Sequence, residues 1–99
     1  MVIKKTGGNQ TITLELEGKL NTGASQHFQE EVMTAIEEAD ELILDFTKLI
    51  YLASSGIRVL VLGAQTAEAS GKTMVLTNVN PDVMEVFEIT GLTDALTFR

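Results

Sequence analysis

From Thr11 to Glu17 apolar and polar residues alternate: Ile12, Leu14 and Leu16 face one way, while Thr11, Thr13, Glu15 and Glu17 face the other. A period of two is the pattern of a strand with one buried and one wet face. Ahead of it, Val2-Ile3-Lys4 reads as a short strand, and Gly7-Gly8-Asn9 supplies residues that turn the chain, so the two strands form a hairpin. Gly18 is expected to end the second strand. The period then changes. Ala24, Phe28, Val32, Ala35, Ile36 and Ala39 fall at helical spacing, with Gln26, Gln29, Glu30, Glu37 and Glu38 on the solvent side. Asn21 or Thr22 is placed to cap this helix.

Leu42 to Phe46 is apolar almost without alternation, as in a central strand covered on both faces. Leu49-Ile50-Tyr51-Leu52 follows as a short hydrophobic loop, and Ala53-Ser54-Ser55-Gly56 opens a second helix. Its inner stripe is Ile57, Leu60, Val61, Ala64 and Ala67; Val59 and Leu62 lie off the stripe and predict heavy burial. Gly71 is a C-terminal cap. Thr73 to Thr77 is a strand. Asn80-Pro81-Asp82 starts a third helix, with a capping side chain, Pro at the first helical position and an acid in the first turn. Val83, Met84 and Phe87 form its apolar side, Thr90-Gly91 ends it, and Ala95 to Phe98 reads as a last strand. The order β-β-α-β-α-β-α-β predicts an α/β fold: a mixed, mostly parallel sheet with an antiparallel N-terminal hairpin and helices packed on it. A length of 99 residues predicts a single domain over 1–99.

Composition narrows the function by exclusion. Seven Lys and Arg against 14 Asp and Glu give a net charge of −7, the wrong sign for a direct nucleic-acid binder or for an anionic membrane surface. The absence of Cys rules out a disulfide scaffold, a thiol nucleophile and a zinc-thiolate site, and one His is too few for a multi-histidine metal centre. No metal or cofactor is expected. The start of the chain has no apolar leader core, and Ile57 to Ala67 is too short and broken to span a membrane. The reading is a cytoplasmic protein with no membrane insertion.

The chemistry concentrates at Ser54-Ser55-Gly56. Two hydroxyls stand at a helix start, where free N–H groups and the helix dipole favour negative charge. Either serine can simply cap the helix, or one can carry a covalent phosphate whose charge the helix end stabilises. A Ser54–His27–Asp45 triad lacks supporting spacing and the Gly-x-Ser-x-Gly elbow, so no catalytic role is expected. Asp40 and Glu41 read as a solvated loop, and Met33, Met74 and Met84 as core or partner-facing filler.

The stretch Asp45-Phe46, Leu49 to Leu52, Ser54-Ser55-Gly56 and Ile57-Arg58-Val59-Leu60 resembles the signature of the STAS domain, the family of sulfate transporters and anti-sigma factor antagonists. Gly18-Lys19-Leu20-Asn21 matches its Gly-x-Leu-Asp, and Gly71-Lys72, Asn80-Pro81-Asp82-Val83 and Ile89-Thr90-Gly91-Leu92 extend the resemblance over nearly the whole chain. It implies a regulatory binding protein of the anti-sigma factor antagonist type. The unphosphorylated form would bind an anti-sigma factor that is a serine protein kinase, phosphorylation at Ser54 (Ser55 being the second choice) would end that binding, and a phosphatase would restore it. Asn21, Ile50, Tyr51, Leu52, Ala53, Ser55, Gly56, Ile57 and Arg58 would form the partner surface. Asn21 and Ala53 stand where the antagonists often carry acids. That departure motivates a second reading: an accessory subunit packed on another protein, such as the nucleotide-binding subunit of a lipid transporter, without phosphorylation. Oligomeric state is left open.

Overall fold

The computed structural model describes residues 1–99. Its elements in chain order are β1 (Val2–Gly7), β2 (Thr11–Leu20), α1 (Thr22–Glu38), β3 (Glu41–Leu52), α2 (Ser54–Ala69), β4 (Thr73–Thr77) and α3 (Pro81–Ile89). The strands form one sheet in the order β1-β2-β3-β4. The pair β1–β2 is antiparallel, and β2–β3 and β3–β4 are parallel, as expected of a hairpin followed by two helical crossovers.

The inward row of the sheet is Ile12, Leu14, Leu42, Leu44, Met74 and Leu76, in register across three strands. It packs with Phe28, Val32 and Ile36 of α1, Leu60 and Ala67 of α2, and Val83 and Phe87 of α3 in one continuous core. The helix ends follow local chemistry. The Asn21 side chain accepts the Ala24 N–H and the Asn80 side chain accepts the Val83 N–H, each capping a helix start. Gly71 and Gly91, at φ +70° and +72°, make the left-handed turns that end α2 and α3. Lys72 places its ammonium on the Ile36 and Glu37 carbonyls, setting a cation at the C-terminal end of α1.

Several boundaries differ from the sequence reading. β1 runs to Gly7. β2 passes through Gly18, which takes φ +100° inside the strand and does not end it. Leu42–Phe46 is not covered equally on both faces: Leu42, Leu44 and Phe46 are buried, but Ile43 and Asp45 are only half-buried. The expected strand Ala95–Phe98 shrinks to one bridge between Leu76 and Phe98. The N–H groups of Ala95 and Leu96 both go to the Leu92 carbonyl, so this segment forms a turn before it reaches the sheet. Only Thr97 and Arg99 make ladder bonds to Leu76, and Phe98 rests against Phe87 with ring centroids 5.7 Å apart. Val59 is buried as expected, whereas Leu62 is 39% exposed.

The main departure is in β3. Leu49–Leu52 is not a loop but the last third of a 12-residue strand. Across β2 and β3 the register steps from Glu15↔Asp45 to Glu17↔Lys48 and from Gly18↔Leu49 to Lys19↔Tyr51. Each step places one extra residue in β3, so the strand carries two bulges. Each bulge shifts the inward parity by one, and the inward-facing residues become Leu42, Leu44, Phe46, Leu49 and Leu52. The pairs left facing outward are Thr47-Lys48 and Ile50-Tyr51, all exposed.

Asp45 pins the first bulge. Its Oδ1 accepts the Thr47 N–H at 3.0 Å, the Thr47 hydroxyl at 2.6 Å and the Asn78 side-chain amide at 3.0 Å. Asn78 holds its place from a left-handed backbone at φ 57°, which Asn tolerates better than most residues. Burial works to raise the Asp45 pKa; the Thr47 and Asn78 hydrogen bonds and the charge of Lys48 outweigh it and hold the carboxyl below its ordinary 3.8. A depressed folded-state pKa contributes stability that is complete above the unfolded value and is lost as pH falls through the folded one. Urea unfolding of the wild type and Asp45→Asn, compared from pH 6 downward, should show a stability gap that narrows below about pH 4. A gap independent of pH would show that the charge does not hold the bulge.

Candidate functional site

The site forms where the ends of β2 and β3 deliver the starts of α1 and α2 side by side. The Ala53 N–H donates to the Leu20 carbonyl at 2.9 Å, tying the end of β3 to the end of β2. Ala53 is the residue that enters α2, in an extended conformation, and its carbonyl accepts from Gly56 and Ile57 at 3.0 and 3.1 Å. No side chain caps this helix. Neither serine therefore takes the capping role: Ser54 is the first residue of α2 and exposed, and Ser55 is half-buried.

The two adjacent hydroxyls are not equivalent. Ser25, buried on α1, donates its hydroxyl to the Asn21 carbonyl at 2.9 Å and lies 2.8 Å from the Ser55 hydroxyl. A serine hydroxyl has one proton to give. With the Ser25 proton on Asn21, the bond between the serines must run from Ser55 to Ser25. The chain Ser55→Ser25→Asn21 carbonyl thus joins the two helix starts and occupies Ser55. Ser54 makes no side-chain hydrogen bond and faces solvent.

Gly56 explains how α2 comes so close. A Cβ built there would lie 2.7 and 2.8 Å from Cγ and Cδ2 of Leu20 and 3.1 Å from Cδ1 of Leu52. Leu20 is fully buried, so it has little room to yield. Ile57 is half-buried against the core, and Arg58 is exposed one turn beyond Ser54. Beside them Ile50 is 70% and Tyr51 50% exposed, among the few large apolar side chains at the surface. Leu52 turns inward and is half-buried. Between α1 and α2 lies an open cleft of about 420 Å³, lined by Thr22, Ser25, Gln26, Gln29, Ser55, Arg58, Val59 and Leu62.

The structure brings together at this end the expected Asn21, Leu52, Ala53, Ser54, Ser55, Gly56, Ile57 and Arg58, with Ile50 and Tyr51 on the adjoining bulge. The Asn21 side chain is committed to capping α1. His27 is exposed on α1 and Asp45 is engaged in the β3 bulge; no hydrogen bond links either to Ser54. Ser25, Gln26 and Gln29, which line the cleft, were not among the expected residues. Ser25 had a readable signal: it precedes Phe28 and Val32 by three and seven, so it lies on the buried stripe of α1.

The STAS domain model matches residues 1–99. A candidate anti-sigma factor antagonist of Bordetella bronchiseptica, BtrV, is 31% identical over 77 residues, which cover 77% of this chain and 66% of that protein, just short of two thirds of its length. The unphosphorylated form of the anti-sigma factor antagonist SpoIIAA superposes with a TM-score of 0.84 at 24% identity, covering 99% of this chain and 88% of its own. The phosphorylated form of the Bacillus cell fate determinant SpoIIAA superposes at 0.78 with 23% identity, covering 99% and 91%. These structures share the fold.

Two substitutions separate the packing of this end from its capping. Gly56→Ala should lower stability by about 1–3 kcal/mol through overpacking against Leu20, measured by chemical denaturation. Ala53→Asp supplies the missing cap and should raise stability by about 0.5–2 kcal/mol in the same measurement. A neutral Gly56→Ala would mean that Leu20 can move aside, and a neutral Ala53→Asp that the helix start is already satisfied.

Proposed function

The chain belongs to the STAS domain family, and from that footing we propose that it is an anti-sigma factor antagonist, a binding protein and not an enzyme, switched by phosphorylation of Ser54. The carrying observation is the division of labour between the two serines. Ser55 gives its proton to Ser25, and Ser54 stands free at an uncapped helix start. In the unphosphorylated protein Ile50, Tyr51 and the first turn of α2 form the surface for an anti-sigma factor with serine kinase activity. A phosphate on Ser54 adds about −1.5 to −2 charges at the centre of that surface. A docked partner then meets an ion it must desolvate, and the interface opens without refolding of the domain. A phosphatase would return the protein to its binding state.

Asn21 does not weaken this reading. Asn and Asp cap helices about equally well, so the structural role at that position survives the lost charge. Ala53 is the more telling departure, because it removes an acid next to Ser54. It favours the second reading, an accessory subunit packed on a transporter's nucleotide-binding subunit, in which Ser54 is never modified.

Incubation with ATP and a serine kinase of the anti-sigma factor class that binds this protein should place one phosphate on Ser54, seen by intact mass and peptide mapping and absent from Ser54→Ala. The phosphorylated form should bind that kinase at least about tenfold more weakly, equivalent to 1.4 kcal/mol. An unmodified Ser54, with a kinase active on its own control substrate, would sink the switch. Co-purification with a transporter subunit instead would favour the second reading.

A further inference from the structure

The surface around Ser54 differs in charge from the rest of the chain. Although the protein carries −7, no carboxylate occurs between Glu17 and Glu30 or between Asp45 and Glu68. Those acid-free stretches are the ones that build this end of the molecule. The cleft between α1 and α2 is lined by hydroxyls, amides and two apolar side chains, and its only charged group is the guanidinium of Arg58. The two salt bridges of the structure are Lys5–Glu38 and Arg99–Glu41, and Lys72 is taken up by the end of α1. Arg58 has no carboxylate partner. It sits four residues after Ser54 on the same helix. Residues at that spacing are neighbours on one face, with Cβ atoms about 5–6 Å apart. Side chains on a helix also lean toward its N-terminus, so Arg58 extends over the turn that carries Ser54.

We propose that Arg58 is the intramolecular receptor of the Ser54 phosphate, pairing with it across one turn of α2 through its guanidinium fork. This rests on Ser54 being the modified residue. Before modification Arg58 is free, exposed and available to an acidic group on the partner. After modification the phosphate claims it. The switch then acts twice: it adds negative charge to the docking surface and withdraws Arg58 from it. The pairing is charge-assisted and geometrically suited to arginine, since the planar fork matches phosphate oxygens and an ammonium offers only a point charge.

The test installs phosphoserine at position 54 during translation, so it does not depend on any kinase. Phosphorus NMR then follows the second ionisation of the phosphate, ordinarily near pH 6. A paired guanidinium stabilises the dianion, so Arg58→Gln should raise that pKa by about half a unit or more, and Arg58→Lys by less. The difference should shrink in about 1 M salt. Lys19, on the neighbouring end of β2, is the control cation. An Arg58→Gln titration that superposes on the wild type overturns the proposal, as does a shift on Lys19→Gln without one on Arg58→Gln. Failure of a kinase to modify Ser54 would count against the proposed switch and leave this titration unchanged, so the two failures are distinguishable.

Discussion

The geometry of the site depends on one mismatch: β3 carries two more residues than β2 over the length they share. A parallel pair that began in register at Thr11↔Glu41 would otherwise carry a strict two-residue alternation to its end. With the alternation unbroken, the parity of Leu42 and Leu44 would turn Ile50 and Leu52 inward, with Leu49 and Tyr51 outward. The two bulges turn Leu49 into the core, keep Leu52 inward and leave Ile50 and Tyr51 together outside. They also set where the strand stops, and so where Ala53 meets the Leu20 carbonyl and α2 begins. Bulges are rare in parallel pairs and need local support. Asp45 supplies it, using a single oxygen to hold the residue two places on and Asn78 at the exit of β4. The acid matters here as a fastener, some distance in chain from the serines it helps to place.

A second constraint concerns protons. Ser54 and Ser55 are adjacent and chemically identical, and composition or spacing alone cannot rank them. A helix turns about 100° per residue, so only one of the two can face α1. The one that does finds Ser25, already donating to Asn21, and must itself donate. That bond and the contact of Gly56 with Leu20 fix α2 from its inner side. Ser54 is left with no buried contact to lose, so charge can be added there without disturbing the packing that holds the helix.

Much of this was legible in the chain. The alternation of Ile12, Leu14 and Leu16, the helical spacing of Phe28, Val32 and Ile36, and the caps at Asn21 and Asn80 each carry a local signal, and each element lies where that signal puts it. What was not legible depends on pairing. An apolar Leu49-Ile50-Tyr51-Leu52 has the same composition in a loop or in a bulged strand, and only its register against β2 decides. Ala95–Phe98 has strand-like residues, but hydrogen bonds to Leu92 compete for its first two N–H groups and win. Ile43 sits in a run that reads as doubly covered, because sequence cannot say that the helices share the face opposite to it. At the candidate site, the Ser-Ser-Gly motif marks the start of α2, while the Ser25 contact comes from another element and is found only once α1 and α2 lie side by side.

The distribution of charge links these levels. Acids dominate the chain, yet the segments that converge at the starts of α1 and α2 contain none. A protein with a strongly negative average surface repels acidic partners everywhere except where that average fails. On the proposed reading, the cleft with its one free arginine is where such a partner is tolerated, and selectivity is set against a repulsive background. A phosphate on Ser54, as proposed, would erase this local exception and make the cleft resemble the remainder of the surface. The sensitivity of the contact then comes less from the size of the added charge than from where it falls. The same dianion on the acidic side of α1, among Glu30, Glu31, Glu37 and Glu38, would leave the character of that surface unchanged. Placed one turn before Arg58, it outweighs the single positive charge of that cleft.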